Sequence, residues 1–193
     1  MRKITINLAA VAAFCIVVAS PALVSSSCAT PKTEQEDTTI IREDSGITAL
    51  KYSSPEVPAS IEFCGKTIDL SRFDRHERMD RELLAFTYMH STSLQMLKKA
   101  NRYFPIVEPI LKENGIPDDF KYLMVIESNM NPTARSSAGA AGLWQFMQGT
   151  GRDYGLEVNN NVDERYHIEK ATRATCRYLK DAYAKYKDWV AVA

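Results

Sequence analysis

The sequence predicts a mainly α-helical domain, and three observations support that prediction. From Asp74 onward, apolar residues recur at helical rather than at strand spacing. The segment from Ala171 to Tyr186 carries a continuous apolar stripe along one helical face. Strand-like alternation is confined to the stretch "SIEFCGKTIDL" around Cys64 and Gly65, which predicts one small hairpin before the helices.

The residues before the hairpin have two different compositions. Residues 1–24 combine a basic start, an apolar run and small residues near Ala22, a pattern typical of a signal peptide, with an uncleaved anchor as the alternative. Residues 25–60 are rich in Ser, Thr, Pro and acidic residues, which predicts a flexible linker. The chain is therefore expected to be exported, with membrane association only through the leader or a lipidated Cys28.

Composition argues against several functional classes. The 24 basic and 24 acidic residues balance, so no electrostatic feature favours a nucleic-acid partner. The chain has only three histidines, and the HExxH-like stretch at His76 has Asp80 in place of its second histidine. We therefore expect no metal and no other cofactor.

The helical part is predicted to contain several helices separated by Pro and Gly. Their expected limits are a capping-box-like start at Asp74, a stop before Pro105, a third helix from Pro105 to Gly115, a fourth from Pro117 to Asn131, and a last helix over residues 171–186. The stretch "GTGRDYG" between the fourth and the last helix predicts a turn.

One glutamate interrupts the apolar face of the fourth helix. Phe120, Leu123, Met124 and Glu127 follow the spacing i, i+3, i+4 and i+7, so they share one side of a helix. A carboxylate there costs free energy unless it is paired, hydrogen-bonded or protonated. A satisfied structural glutamate is one interpretation. The other is a carboxyl of raised pKa that donates a proton to a glycosidic oxygen.

The sequence after Glu127 suits the approach of a bulky polymer. Small residues fill "TARSSAGAAG", and large side chains follow directly in "LWQFM". Trp144, Phe146 and Tyr154 could offer aromatic faces to sugar rings, and ordinary core packing is the alternative for each of them.

Several motifs between Gly115 and Ala193 occur in a fixed order that resembles the lytic transglycosylases with a lysozyme-like fold. They are "IESNMNP", "SSAGAAGLWQFM", "TGRDYGL", "VDERYH", "KATRATCRYLKD" and "DWVAVA". The resemblance implies a lysozyme-like helical domain that acts on peptidoglycan glycan strands in the periplasm or envelope of a bacterium. It also implies cleavage of the N-acetylmuramic acid β-1,4-N-acetylglucosamine bond with formation of a 1,6-anhydro end.

The same resemblance implies roles for individual residues. Glu127 matches the catalytic acid, and Ser136 matches a serine that lines the site. Gln145 and Met147 would line the saccharide groove, and Phe146 and Tyr154 join them as candidate substrate-binding residues. The chain would then divide into a hairpin with helices over 61–114 and a transglycosylase domain over 115–193. Because the family's next motif, Ala-Tyr-Asn-x-Gly, would begin just past Ala193, this domain is expected to be incomplete at its C-terminus.

Three questions stay open at the level of sequence. A lysozyme-type hydrolase, in which water enters, would cleave the same bond, and a non-catalytic peptidoglycan-binding envelope protein would keep only the groove. Asp153, Asp163 and Glu164 are near in sequence, but the spacing places none of them opposite Glu127. Cys64 and Cys176 either form a disulfide or remain two separate thiols.

Overall fold

The computed structural model describes residues 55–193 and is mainly α-helical, which confirms the predicted fold class. In chain order its elements are β1 (Ser60–Phe63), β2 (Lys66–Asp69), α1 (Phe73–Tyr88), α2 (His90–Glu113), a first 3-10 helix (Asp118–Tyr122), α3 (Leu123–Ser128), α4 (Gln148–Asp153), a second 3-10 helix (Glu164–Tyr166), α5 (Ile168–Tyr186) and α6 (Trp189–Val192). The predicted signal peptide and most of the predicted linker lie outside the described residues.

The predicted hairpin is present and is attached to the helical part. Strands β1 and β2 pair antiparallel across a two-residue turn in which Cys64 and Gly65 have φ of 51° and 74°. Two positive φ values in succession give the turn the twist that a tight hairpin needs. The amide of Cys64 donates to the Asp119 carboxylate at 2.6 Å, and Lys66 pairs with Asp188 at 2.7 Å. These bonds hold the hairpin against the first 3-10 helix and the start of α6.

Helix α2 differs from the prediction, because one helix runs through the expected break at Pro105. Pro105 and Pro109 lie four residues apart on its exposed face, where water can satisfy the carbonyls that lose an amide partner. The opposite face is buried on both sides of Pro105, through Tyr103, Phe104 and Val107. Continuous burial of this face therefore outweighs the local effect of the prolines.

Three further predicted boundaries are wrong. Helix α1 begins at Phe73 without a side-chain cap, because the Asp74 carboxylate accepts from the Arg72 guanidinium instead. Helix α3 ends at Ser128 rather than at Asn131, since Asn129 adopts a left-handed conformation. The stretch predicted as a turn contains helix α4, whose buried Gly151 lets the backbone lie close to a neighbouring side chain.

Two hydrophobic clusters hold the described elements together, a large one and a small one in which Leu70 packs with Met79 and Leu83 of α1. Helix α2 packs on α5, and the large cluster includes buried residues from the hairpin, from α2, from the Glu127 region and from α5. Phe63 of β1 lies against Phe120 of the first 3-10 helix, with ring centroids 6.4 Å apart. Residues on both sides of position 114 therefore share one core. No helix in residues 55–193 combines the length and the apolar character that crossing a membrane requires.

Cys64 and Cys176 are not joined by a disulfide in the structure, so two separate thiols are the alternative that it shows. The Cys176 thiol lies on the buried face of α5, 4.0 Å from the carbonyl oxygen of Ile110 on α2. Burial raises the pKa of this thiol to about 11, which keeps it protonated and unreactive.

Candidate active site

Glu127 lies in the last turn of α3, where the chain reverses direction. The residues before it, Leu123, Met124 and Val125, are buried in the core. Asn129 and Met130 then take φ of 49° and 52°, and their amides return to the carbonyls of Val125 and Met124. This closed end of the helix places Glu127 at the boundary between the core and the solvent, where its side chain is half-buried.

The environment of the Glu127 carboxyl favours its protonated form. Burial raises the pKa of Glu127 above its ordinary value, since removal from water penalises the charged carboxylate. Within residues 55–193, no side chain or backbone group pairs with it or donates a hydrogen bond to it. The pKa of Glu127 is therefore shifted in the direction that a general acid requires.

The residue after Glu127 connects α3 to the segment that follows. The Ser128 hydroxyl lies 3.0 Å from the carbonyl oxygens of both Met124 and Leu143, and it accepts a hydrogen bond from the Asn131 amide at 3.3 Å. Leu143 belongs to residues 134–146, which we call the glycine-rich segment. Ser128 therefore ties the turn that carries Glu127 directly to this segment.

Backbone hydrogen bonds fold the glycine-rich segment back on itself. Isolated bridges pair Arg135 with Ala141 and Ala141 with Phe146. The amide of Gly142 donates to the carbonyl of Ala134 at 2.9 Å. The segment is therefore a compact double turn rather than an open loop, and it presents fixed side chains next to α3.

Ser136 and Gln145 lie on this double turn and have unused polar capacity. The Ser136 hydroxyl oxygen accepts from the Ala140 amide at 3.0 Å, which leaves its proton without an acceptor among the described residues. The Gln145 amide nitrogen donates to the carbonyls of Gly142 and Ala134 at 2.8 and 3.3 Å. Its amide oxygen accepts no bond from the described part of the chain. The pair thus offers one donor and one acceptor.

The large side chains of "LWQFM" are placed differently from one another. Trp144 is 8% exposed and donates from Nε1 to the Thr172 hydroxyl of α5 at 3.0 Å, so it packs in the core. Phe146 is 7% exposed, which leaves little of its ring for a ligand. Met147, in contrast, is exposed and extends the surface beside Gln145.

Tyr154 is directed toward α5. Its ring packs edge-on against Tyr178 at 5.4 Å, and its hydroxyl interacts with Asp181. Tyr154 and Asp181 border an open cleft of about 430 Å³ whose lining also includes Arg177 and Lys180. Within residues 55–193, the aromatic contact of Tyr154 and the hydrogen bonds of its hydroxyl and carbonyl lead to α5 and not to Glu127, Ser136 or Gln145.

Two of the other carboxyls near the site in sequence are engaged by partners. Asp163 binds the Arg165 guanidinium through both oxygens, and hydrogen bonding from Arg165 lowers the pKa of Asp163. Glu164 accepts from the Glu157 amide and pairs with Lys170, and both interactions lower the pKa of Glu164. Asp153 lines the cleft beside Tyr154. No group of three or more His, Cys, Asp and Glu side chains in residues 55–193 is arranged to hold a metal ion.

Sequence reasoning missed two residues that shape this site, Ser128 and Arg165. Ser128 was visible only as the second letter of "ES", and its contact with Leu143 spans fifteen positions. Arg165 follows Asp163 by two residues in "VDERYH", and an acid–base pair at that spacing is common on protein surfaces. Its burial, at 1% exposure, depends on packing that a local pattern does not contain.

Comparison with known proteins agrees with the motifs. Residues 105–193 match the family model described as "Transglycosylase SLT domain". The chain is 31% identical over 104 residues to "Membrane-bound lytic murein transglycosylase D" of Escherichia coli strain K12, and equally to that of strain CFT073. It is 21% identical over 103 residues to "Putative tributyltin chloride resistance protein" of Alteromonas sp. strain M-1. The predicted resemblance to lytic transglycosylases is thereby confirmed.

These matches cover only part of this chain and only part of each relative. The Escherichia coli alignments cover 54% of this chain and 22% of each relative, and the Alteromonas alignment covers 53% and 50%. The chain thus spans about a fifth of the length of the first two relatives. All three alignments and the family match leave a large part of the chain uncovered.

Proposed function

We propose that this chain carries a peptidoglycan lytic transglycosylase domain, which cleaves the β-1,4 bond between N-acetylmuramic acid and N-acetylglucosamine. One observation carries the proposal: the half-buried Glu127 carboxyl has no partner among the described residues, and it lies inside the segment that matches the SLT domain. Export to the bacterial periplasm or envelope, as the leader predicts, would bring the domain to this substrate.

In the proposed reaction Glu127 acts twice. The protonated carboxyl donates its proton to the glycosidic oxygen as the bond from that oxygen to C1 of the muramic residue breaks. The resulting carboxylate then removes the proton of the C6 hydroxyl, and O6 bonds to C1. The proton lost in the first step is regained in the second, so no water enters and the product ends in a 1,6-anhydro ring.

The partners of the neighbouring carboxyls support a mechanism with one acid. A hydrolase of the usual kind needs a second carboxyl to activate water or to form a covalent intermediate. Asp163 and Glu164, two of the candidates nearest in sequence, are held by Arg165 and by Lys170. The C6 hydroxyl of the substrate can replace the missing nucleophile, because it belongs to the sugar that reacts.

The unused polar atoms of the double turn suit an N-acetylated sugar. An acetamido group has one amide donor and one carbonyl acceptor. The Ser136 hydroxyl can donate to such a carbonyl, and the Gln145 amide oxygen can accept from such an N–H. The exposed Met147 offers apolar surface beside them. Phe146 stays in the proposal only as a buried residue that supports the groove, whereas Tyr154, which packs on α5, has no part in it.

The test is the mass of the fragments released from purified peptidoglycan sacculi. The wild-type chain is expected to release muropeptides lighter by one water than the corresponding hydrolysis products. Glu127→Gln removes the transferable proton and should lower turnover on the order of 10²- to 10⁴-fold. Glu169→Gln alters an exposed acid in the first turn of α5 and serves as the matched control with wild-type turnover.

Each alternative has a distinct result in the same assay. Fragments that carry the added water would identify a lysozyme-type hydrolase. Binding to sacculi without any released fragment would identify a non-catalytic peptidoglycan-binding protein. Full turnover by Glu127→Gln would remove Glu127 from the mechanism.

A further inference from the structure

Arg165 is a charged side chain in the interior of the domain. It belongs to the short 3-10 helix Glu164–Tyr166, yet its side chain is only 1% exposed. A buried guanidinium is costly unless its donors are paired. The proposed reaction gives Arg165 no chemical step, so its function must come from the groups that it holds.

Those groups are a carboxylate and the backbone of the glycine-rich segment. Arg165 Nε and Nη2 donate to the two oxygens of Asp163 at 2.9 and 2.7 Å. Arg165 Nη1 donates to the carbonyls of Gly139 and Phe146 at 2.8 and 2.9 Å. Asp163 neutralises the charge and orients the planar fork, which directs the remaining donors at two points of the segment.

The backbone of Arg165 fits the same segment. Gly142 has φ of 79°, and a Cβ atom built there would lie 1.9 Å from the Arg165 carbonyl oxygen. Only a glycine allows so close an approach of the two chains. The segment is therefore shaped around Arg165 through both its side chain and its main chain.

The middle of the segment is held independently of Arg165. Leu143 is tied to the Glu127 turn by Ser128, and Trp144 is tied to α5 by Thr172. The two carbonyls that Arg165 holds flank this middle. Gly139 closes the turn that begins at Ser136, with its amide donating to the Ser136 carbonyl at 3.0 Å, and Phe146 follows Gln145 directly.

We propose that Arg165 is a positioning residue for the saccharide groove, which holds Ser136 and Gln145 in place relative to Glu127 through the carbonyls of Gly139 and Phe146. The inference rests on the proposed function, since it assigns a ligand to the groove. It differs from a general stabilising role, because loss of Arg165 should weaken glycan binding in protein that remains fully folded.

The experiment measures glycan binding in a background without turnover. Dissociation constants for a soluble glycan oligomer of alternating N-acetylglucosamine and N-acetylmuramic acid are compared between Glu127→Gln and the double variant Glu127→Gln/Arg165→Lys. Lysine keeps the charge but cannot reach both carbonyls and Asp163 together. We expect binding to weaken about tenfold, which is the effect of losing one well-placed hydrogen bond to the glycan. The control is Arg173→Lys, the same substitution at an exposed arginine whose ion-pair partner, Glu113, is exposed too.

Kinetics in the active background give the second measurement. Arg165→Lys should raise KM by a similar factor and leave unchanged the pKa at which kcat falls as pH rises, because that fall reports loss of the Glu127 proton. Amide hydrogen exchange should accelerate at Gly139 and Ala141 more than in α5. Wild-type binding and wild-type KM in folded Arg165→Lys would overturn the inference, whatever the chemistry of the enzyme.

A second variant decides the matter if Arg165→Lys does not fold. Asp163→Asn removes the charge that orients the guanidinium but leaves Arg165 and its two carbonyl acceptors in the chain. It should weaken glycan binding in the same direction by a smaller factor, and unchanged binding would contradict the inference. If the wild-type chain releases no fragments while Glu127→Gln binds the oligomer and Arg165→Lys weakens that binding, the proposed reaction fails and the positioning role stands.

Discussion

Glu127 and Asp163 are both partly buried carboxyls near the glycine-rich segment, but their surroundings shift their pKa values in opposite directions. Asp163 accepts two hydrogen bonds from the Arg165 guanidinium, which lower its pKa. Glu127 has no such partner in residues 55–193, and burial raises its pKa. We call the polar pairs that support the segment, Arg165 with Asp163 and Trp144 with Thr172, the scaffold. Its members are paired with one another, whereas the Glu127 carboxyl at the edge of the segment has no counter-ion among the described residues.

The difference separates residues that maintain the structure from one that is available for chemistry. A paired carboxylate resists protonation and holds its neighbours in a fixed geometry. A desolvated carboxyl without a partner exchanges its proton in the range where an acid catalyst must work. If this distinction is correct, removing a polar group from the scaffold should destabilise the fold, and removing the Glu127 charge should not.

The larger expected effect concerns the scaffold. Thr172→Val would leave the buried Trp144 N–H without an acceptor, so the free energy of unfolding should fall by about 1–3 kcal/mol. Thr175→Val is the matched control, because Thr175 is also buried on α5 and its hydroxyl also donates to a carbonyl four residues earlier, but it accepts no side-chain donor. The control should cost less than Thr172→Val, because it leaves no buried side-chain donor without an acceptor.

Chemical denaturation of both variants measures this difference. Equal losses for Thr172→Val and Thr175→Val would mean that the Trp144 bond contributes nothing. The proposal that this buried polar pair stabilises the fold would then be contradicted.

The smaller expected effect concerns Glu127 and depends on pH. Because the folded pKa of Glu127 is raised above its ordinary value of 4.5, the native state binds its proton more tightly than the unfolded chain does. Ionisation of Glu127 therefore lowers the free energy of unfolding. This loss of stability is absent below pH 4.5, grows as pH rises toward the folded pKa and is complete above that pKa. Glu127→Gln should therefore gain stability relative to wild type as pH rises from 4 to 7, by less than Thr172→Val loses.

Melting temperatures of wild type and Glu127→Gln across this pH range provide the test. Glu169→Gln, which alters an exposed acid, should follow the wild-type curve. A Glu127→Gln variant that loses stability relative to wild type as pH rises would show that the carboxylate has a stabilising partner after all.

The sequence predicted those parts of the fold that local patterns determine. The Cys64–Gly65 hairpin, the burial of Ala171, Ala174 and Leu179 on α5, and the half-buried Glu127 on an apolar face all follow from spacing and composition. The continuous helix through Pro105 did not, because the packing of its buried face involves residues distant in sequence. Helix α4 was missed for the same reason, since Gly151 packs against the side chain of Arg165.

In the candidate site, too, local motifs predicted some residues, whereas the placement of others depends on packing between distant parts of the chain. Glu127, Ser136 and Gln145 were predicted as site residues from motifs, and those roles stay a prediction. The structure shows the hydrogen bond from Ser128 to Leu143 that links their two segments. The burial of Phe146 and the orientation of Tyr154 toward Asp181 could not be predicted from the sequence, because either ring could face a sugar or the core. Arg165 was not identified, since nothing in its local sequence distinguishes a buried arginine from an exposed one.

A direct titration of the Glu127 and Asp163 carboxyls tests whether their pKa values are shifted in opposite directions. Carbon-13 NMR of uniformly labelled protein resolves side-chain carboxyl signals as a function of pH, and Glu127→Gln and Asp163→Asn assign the two resonances. We predict that Glu127 titrates above the ordinary glutamate value of 4.5 and Asp163 below the ordinary aspartate value of 3.8. A Glu127 signal that titrates at or below 4.5 would contradict the claim that this carboxyl is held ready as the acid.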